Sequence, residues 1–145
     1  MILGVGTDIL RASRISSESI RTEESFLKRS FTEKERSQAN ACGTRKVSYY
    51  ATRFAAKEAV YKAISFCEAG FDAGEIEILD DCNGKPFAVL SGSTRASVEK
   101  AARDGYVIHI SLSYDTEYIV AFAVAEMADK GSSSDRSMIS GGERL

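Results

Sequence analysis

The stretch TRFAAKEAVYKAIS, residues 52–65, decides how the rest of the chain is read. Its alanines, Phe54, Val60 and Ile64 point nearly all round a helical axis, so the helix belongs inside a fold. Yet it carries Arg53, Lys57, Glu58 and Lys62. At about 100° per residue, Phe54, Glu58 and Lys62 share one stripe with Tyr61 beside it, and Arg53 and Lys57 form a second stripe a quarter turn or more away. Apolar residues fill the gaps, which places Glu58 and Lys62 between packed surfaces. The plain reading is an i,i+4 ion pair worth about 0.2–0.5 kcal/mol.

Working outward, the helix is expected from about Lys46 to Ser65, closed by the glycine-bearing loop FCEAGFDAG (66–74). Before it, TEKE (32–35) has the Thr-to-Glu spacing of a capping box and opens a short helix that ends at Gly43. A further helical stretch is expected over 13–31, with Ile15, Ile20, Phe26 and Leu27 as buried candidates. The amino-terminal MILGVGTDI (1–9) alternates as a strand, with Leu3, Val5, Thr7 and Ile9 on one face and Ile2, Gly4, Gly6 and Asp8 on the other. Two glycines beside Asp8 strip that face of bulk and admit another backbone or a ligand. There is no GxGxxG and no Walker lysine.

After the long helix, EIEIL (75–79) and FAVL (87–90) read as strands joined by DDCNGKP, whose Asn-Gly marks a tight turn. STRASVEKAARDG (93–105) reads as a helix with a serine or threonine cap and a terminal glycine. YVIHISLSYDTEYIVAFAVAE (106–126) reads as two strands with a turn near Tyr114 to Glu117, the first placing His109, Ser111 and Ser113 opposite Ile108, Ile110 and Leu112. Hairpins with helices between them predict an α+β domain: a mainly antiparallel sheet packed against the long helix and covered on one face. The domain is expected over 1–126. Residues 127–145, rich in Ser and Gly with no apolar period, are expected to be a flexible tail.

At 145 residues, 43% apolar and 28% charged, the chain is one globular domain. A net charge of −2 gives no broad attraction to nucleic acid or anionic lipid, so any cationic site is local. The amino terminus has no basic lead and contains Asp8, and no stretch approaches a membrane span; a cytoplasmic location is expected. Cys42, Cys67 and Cys82 form no CxxC pair and read as reduced thiols. With His109 as the only histidine, a bound metal is expected to be a hard cation on carboxylates, not zinc.

Asp8 taken alone reads as a surface residue at a strand end. If the long helix packs across the first strand, however, Asp8 and Glu58 converge. Two carboxylates sharing a site repel unless a cation lies between them, and oxygen ligands at that density suit Mg²⁺ with waters and substrate phosphates. Lys62, one turn from Glu58, would then face a phosphate oxygen.

GVGTDI, TRFAAKEAVYKA, NGKP and HISLSYDTEYIVAFAV occur in the order found in holo-[acyl-carrier-protein] synthases, a group of 4′-phosphopantetheinyl transferases, and the chain resembles that family over residues 1 to about 126. The resemblance implies a small α+β transferase that assembles as a homotrimer, binds coenzyme A in clefts between subunits and serves an apo acyl carrier protein in fatty-acid biosynthesis. It implies metal ligation by Asp8 and Glu58, and Glu58 and Lys62 as the catalytic groups. Arg53 and Lys62 match coenzyme-contacting positions, and Arg14 and Arg21 match residues that engage the acidic carrier. Tyr114 stands where relatives commonly have a histidine for a coenzyme phosphate; it offers a hydroxyl without positive charge, and Lys85 is the candidate substitute. The general base stays open between His109, Glu58, a carboxylate of the carrier and a metal-held water. A non-catalytic coenzyme- or carrier-binding module on the same scaffold is the alternative. A purely structural trimer subunit is the third reading.

Overall fold

The computed structural model of the chain describes residues 1–15 and 24–129. Strand β1 (Ile2–Arg11) is followed by a 3-10 turn (Ala12–Arg14), and helices α1 (Glu24–Ser30) and α2 (Glu33–Ala41) lead to the long helix α3 (Lys46–Ala63). The hairpin β2 (Ile76–Asp80) and β3 (Pro86–Leu90) comes next, then helix α4 (Gly92–Ala101) and the hairpin β4 (Tyr106–Tyr114) and β5 (Tyr118–Met127). The expected α+β architecture is present, with its strands divided between a three-stranded antiparallel sheet, order β1-β5-β4, and the separate pair β2-β3.

The long helix crosses the three-stranded sheet because both surfaces are stripped of bulk. A Cβ on Gly4 would sit 2.1 Å from the Ala63 carbonyl oxygen, and one on Gly6 would sit 2.0 Å from that of Ala59. Ala121, Ala123 and Ala125 of β5 are fully buried, as are Ala55, Ala56, Ala59 and Ala63 of the helix. Small residues on both sides bring backbone near backbone, and Leu10, Val60, Ile64, Ile110 and Ile119 fill the periphery of the contact. Leu27, Phe31, Ala39, Tyr49 and Tyr50 form a second cluster on the amino-terminal half of α3.

Among the described residues no helix covers the other face of the sheet. The registers Val5–Val124–His109, Thr7–Phe122–Ser111 and Ile9–Val120–Ser113 place these side chains together there. Ile9 is 64% exposed and Phe122 45%, with Val5, Val107 and Val120 also open. His109 Nε2 and Glu126 Oε2 are 2.9 Å apart and the pair is about half exposed.

Four expectations need correction. Of the helix expected over 13–31, the described residues include the 3-10 turn and α1, with 16–23 outside them; β1 runs two residues further than expected, and Ala12 still donates its backbone N–H to Glu117 O. Ile15 and Phe26 are partly buried and Leu27 is buried, whereas Ile20 lies outside the described residues, as does the tail from residue 130. The alternation of β1 breaks at a register shift between Ile2 and Gly4, so Leu3 packs on the core while Ile2 is exposed. Finally, no serine or threonine side chain caps α4. The Glu75 carboxylate takes that role, accepting from the backbone N–H and hydroxyl of both Ser93 and Thr94. Four such bonds hold its carboxyl far below the usual range, at about 2. The capping box at Thr32 and Glu35 is present as expected.

Candidate functional site

Asp8 lies on the glycine face of β1, so the close strand–helix contact delivers it to α3. Glu58 lies on the side of α3 turned toward it, half-buried. Burial raises the Glu58 carboxyl above its ordinary value, the Asp8 charge pushes it the same way, and Lys62 opposes both. The two carboxylates are therefore close enough to feel each other, as the strand–helix crossing requires. Lys62 does not form the intrahelical pair that its spacing allows. Its ammonium donates to Asp8 Oδ1 at 3.1 Å and to Thr7 O at 2.9 Å, bridging helix and strand. The Asp8 carboxylate is 19% exposed and Lys62 48%, so the cluster opens to solvent on the lysine side.

Among the described residues no group of three or more His, Cys, Asp and Glu converges to hold a metal. Asp8 and Glu58 make a two-carboxylate set with an accessible side. That fits an ion such as Mg²⁺, which keeps waters and takes substrate phosphate oxygens as further ligands, and a cation there relieves the repulsion recorded on Glu58.

The second candidate region is a cavity of about 520 Å³ at the other half of α3. Arg45, Tyr49, Thr52 and Arg53 form its helix side, Asp80, Gly84 and Pro86 its hairpin side, and Ser111, Leu112 and Tyr114 the end of β4. Arg53 is 5% exposed, stacks its guanidinium 4.3 Å from the Tyr49 ring centroid and bonds to Asp80, while its Nε is buried without a partner. Its Nη1 also donates to Thr52 Oγ1 at 3.3 Å, so the guanidinium is held fixed and brings a positive charge to the cavity wall. Tyr114, 68% exposed, lies at the edge of the same cavity. Lys85 sits between two lining residues in the β2–β3 turn and is exposed; Asp81 pins the turn by accepting from the backbone N–H of Asn83 and Lys85.

The structure thus brings Asp8, Glu58 and Lys62 together, and Arg53 and Tyr114 together. The cavity lining includes none of the first three, so the two groups are distinct clusters. Arg14 is exposed at the end of the 3-10 turn, and Arg21 lies outside the described residues. Arg45, Tyr49 and Asp80 were missed in the sequence. Arg45 sits one turn or more from the motif and Asp80 arrives from another element, so no local spacing marks either.

A family model described as the 4′-phosphopantetheinyl transferase superfamily matches residues 4–123. A holo-[acyl-carrier-protein] synthase of Desulforudis audaxviator is 41% identical, over 86% of this chain and 93% of its own length. That of Clostridium acetobutylicum is 39% identical, over 88% and 99%. Among solved structures, the holo-[acyl-carrier-protein] synthase of Neisseria meningitidis superposes with a TM-score of 0.73 at 32% identity, covering 87% of this chain and 99% of its own. The synthase of Bacillus anthracis, solved in complex with coenzyme A (3′,5′-ADP), gives 0.67 at 33% identity over 88% and 99%.

Proposed function

The chain belongs to the 4′-phosphopantetheinyl transferase superfamily, among its holo-[acyl-carrier-protein] synthases, and from that premise we propose that it moves the phosphopantetheine arm of coenzyme A onto a serine of an apo acyl carrier protein. The carrier is that of fatty-acid biosynthesis and the reaction takes place in the cytoplasm. The observation that carries the reading is the meeting of Asp8, Glu58 and Lys62 across the glycine-narrowed contact of β1 with α3.

In the reaction the serine oxygen bonds to the phosphorus that carries the pantetheine arm. The bridging P–O bond of the pyrophosphate breaks, and its electron pair leaves on adenosine 3′,5′-bisphosphate. The serine proton passes to a base. Phosphoryl transfer of this kind is governed by positioning and charge. Asp8 and Glu58 would hold Mg²⁺, which polarises the pyrophosphate when bound. Lys62 releases Asp8 to face the phosphates and offsets charge on the leaving oxygens. Arg53, held by Asp80 and Tyr49, receives a phosphate of the nucleotide end, with Arg45 and Tyr114 lining the same cavity and Lys85 in the adjoining β2–β3 turn.

The two clusters belong to different parts of the surface, and in this reading the coenzyme is held in a cleft between two subunits, each supplying one of them. The exposed apolar sheet face supports a homotrimer, because a surface of Val5, Ile9, Val120 and Phe122 is stabilised by burial against copies of itself. Arg14 offers a cation to the acidic carrier from the end of the 3-10 turn.

The test is to incubate the protein with coenzyme A, Mg²⁺ and an apo acyl carrier protein and weigh the carrier by mass spectrometry. A mass gain equal to one phosphopantetheine is expected. A carrier of unchanged mass, with coenzyme still bound by the protein, would instead establish a binding module without chemistry.

A further inference from the structure

Lys57 neighbours Glu58 yet points away from the carboxylate cluster into the interior, where it is fully buried with Glu35. Its ammonium has three donors and all are used: Glu35 Oε2 at 2.9 Å, Ala73 O at 2.7 Å and Ile76 O at 2.6 Å. Glu35 in turn accepts from Thr32 N at 2.8 Å and Ile78 N at 2.7 Å. The pair is thus satisfied on every side, and it links α2, α3, the segment before β2, and β2 itself.

A buried ion pair is a poor source of stability, since the desolvation of both charges offsets their attraction; an apolar pair of equal volume does as well or better. Burial indeed pushes the Lys57 ammonium below its usual value, against the pull of Glu35. What an apolar pair cannot do is bond to a strand edge. One edge of β2 pairs with β3, and on the opposite edge Ile76 O and Ile78 N are bonded by Lys57 and Glu35. One turn earlier on the same stripe of α3, Arg53 grips Asp80 at the far end of β2. The strand is therefore pinned to the long helix at both ends. Asp80 and the turn that follows it, through Gly84 and Pro86, are a wall of the 520 Å³ cavity.

We propose that Glu35 and Lys57 are positioning residues for coenzyme binding: their buried pair locks the β2–β3 hairpin onto α3 and so sets the wall of the cavity that takes the nucleotide end. This rests on the functional reading above and adds residues that touch neither coenzyme nor carrier. Displacement of a binding wall by about 1 Å is enough to cost an order of magnitude or more.

The test compares three variants with the unaltered full chain. Lys57→Met leaves Glu35 buried without its partner and is the severe case. Glu35→Gln with Lys57→Met removes both charges, and is the folded comparison if the single variant collapses. Val98→Ala, a fully buried change in α4 that loosens the same core but leaves the Glu35–Lys57 pair and its bonds intact, controls for lost packing alone. Calorimetric titration with coenzyme A is expected to show about tenfold weaker binding in the double variant, with the KM for carrier protein within about twofold of normal. The Val98→Ala control keeps normal coenzyme affinity despite a lower Tm. A double variant that binds coenzyme A normally overturns the inference, as does one whose coenzyme affinity falls only as far as the control's. If the unaltered protein does not bind coenzyme A, the functional premise itself fails, and that arm alone reveals it.

Discussion

Replacing Gly6 by alanine probes the contact on which both fold and site depend. The added Cβ would lie 2.0 Å from Ala59 O, 2.7 Å from Ala63 N and 2.8 Å from Lys62 Cβ, where ordinary contact begins at 3.4 Å. The nearest atoms are backbone, so no side chain can turn aside; β1 and α3 must separate by roughly 1 Å. Overpacking of this kind costs about 1–3 kcal/mol and occasionally more. The same shift moves Asp8 away from Glu58 and Lys62, and misplacement by about 1 Å in a reacting cluster lowers rate about 100-fold. Thermal melting and the carrier mass-shift assay, run on the same preparation, are expected to show a lower Tm and a turnover reduced by about that factor at saturating coenzyme. A Gly6→Ala protein with normal Tm and normal turnover would refute the close approach, and with it the argument that glycines deliver Asp8 to the helix.

Three further outcomes are expected. Glu58→Gln removes a carboxyl whose folded-state pKa is raised above 4.5, and a group raised in this way favours folding less as pH climbs past that value. In metal-free buffer the variant's Tm should therefore exceed the normal one most at neutral pH, with the gap closing below 4.5, while transfer activity is lost; a variant less stable at neutral pH would contradict the burial, and the smaller Asp8 repulsion, that raise this carboxyl. Glu75 works in the opposite sense. Its carboxyl is depressed from 4.5 to about 2, so its contribution is complete above 4.5 and disappears as pH falls toward about 2. The Tm deficit of Glu75→Gln should shrink across that window, and a deficit independent of pH would mean that the carboxylate is not the cap of α4. Phe122→Lys places a charge in the middle of the exposed apolar sheet face, and sedimentation should show the proposed trimer for the unaltered chain and monomer for the variant; an unchanged assembly would move the subunit contact elsewhere.

The parts of the fold that the sequence made legible are those written in local pattern. Alternation in residues 1–9 and 106–126, an Asn-Gly turn, a capping box and a long alanine-rich helix were enough for an antiparallel sheet under a central helix. The paired glycines before Asp8 also marked where strand and helix would touch. What stayed hidden depends on partners far apart in the chain. Glu75 caps α4 from before the intervening hairpin, and Lys57 finds Glu35 on another helix and a strand edge beyond it. The second stripe of α3 came without partners because helical spacing says nothing about what waits opposite. Lys62 likewise had a plausible partner four residues away, and only the crossing of β1 offered it Asp8 and a carbonyl oxygen together.

The most direct measurement is titration of the protein with Mn²⁺ as a paramagnetic stand-in for Mg²⁺, followed by electron paramagnetic resonance in the presence of coenzyme A. One bound ion per active site is expected for the unaltered chain, with binding abolished in both Asp8→Asn and Glu58→Gln. Undiminished binding in either variant would show that these two carboxylates do not jointly hold the ion.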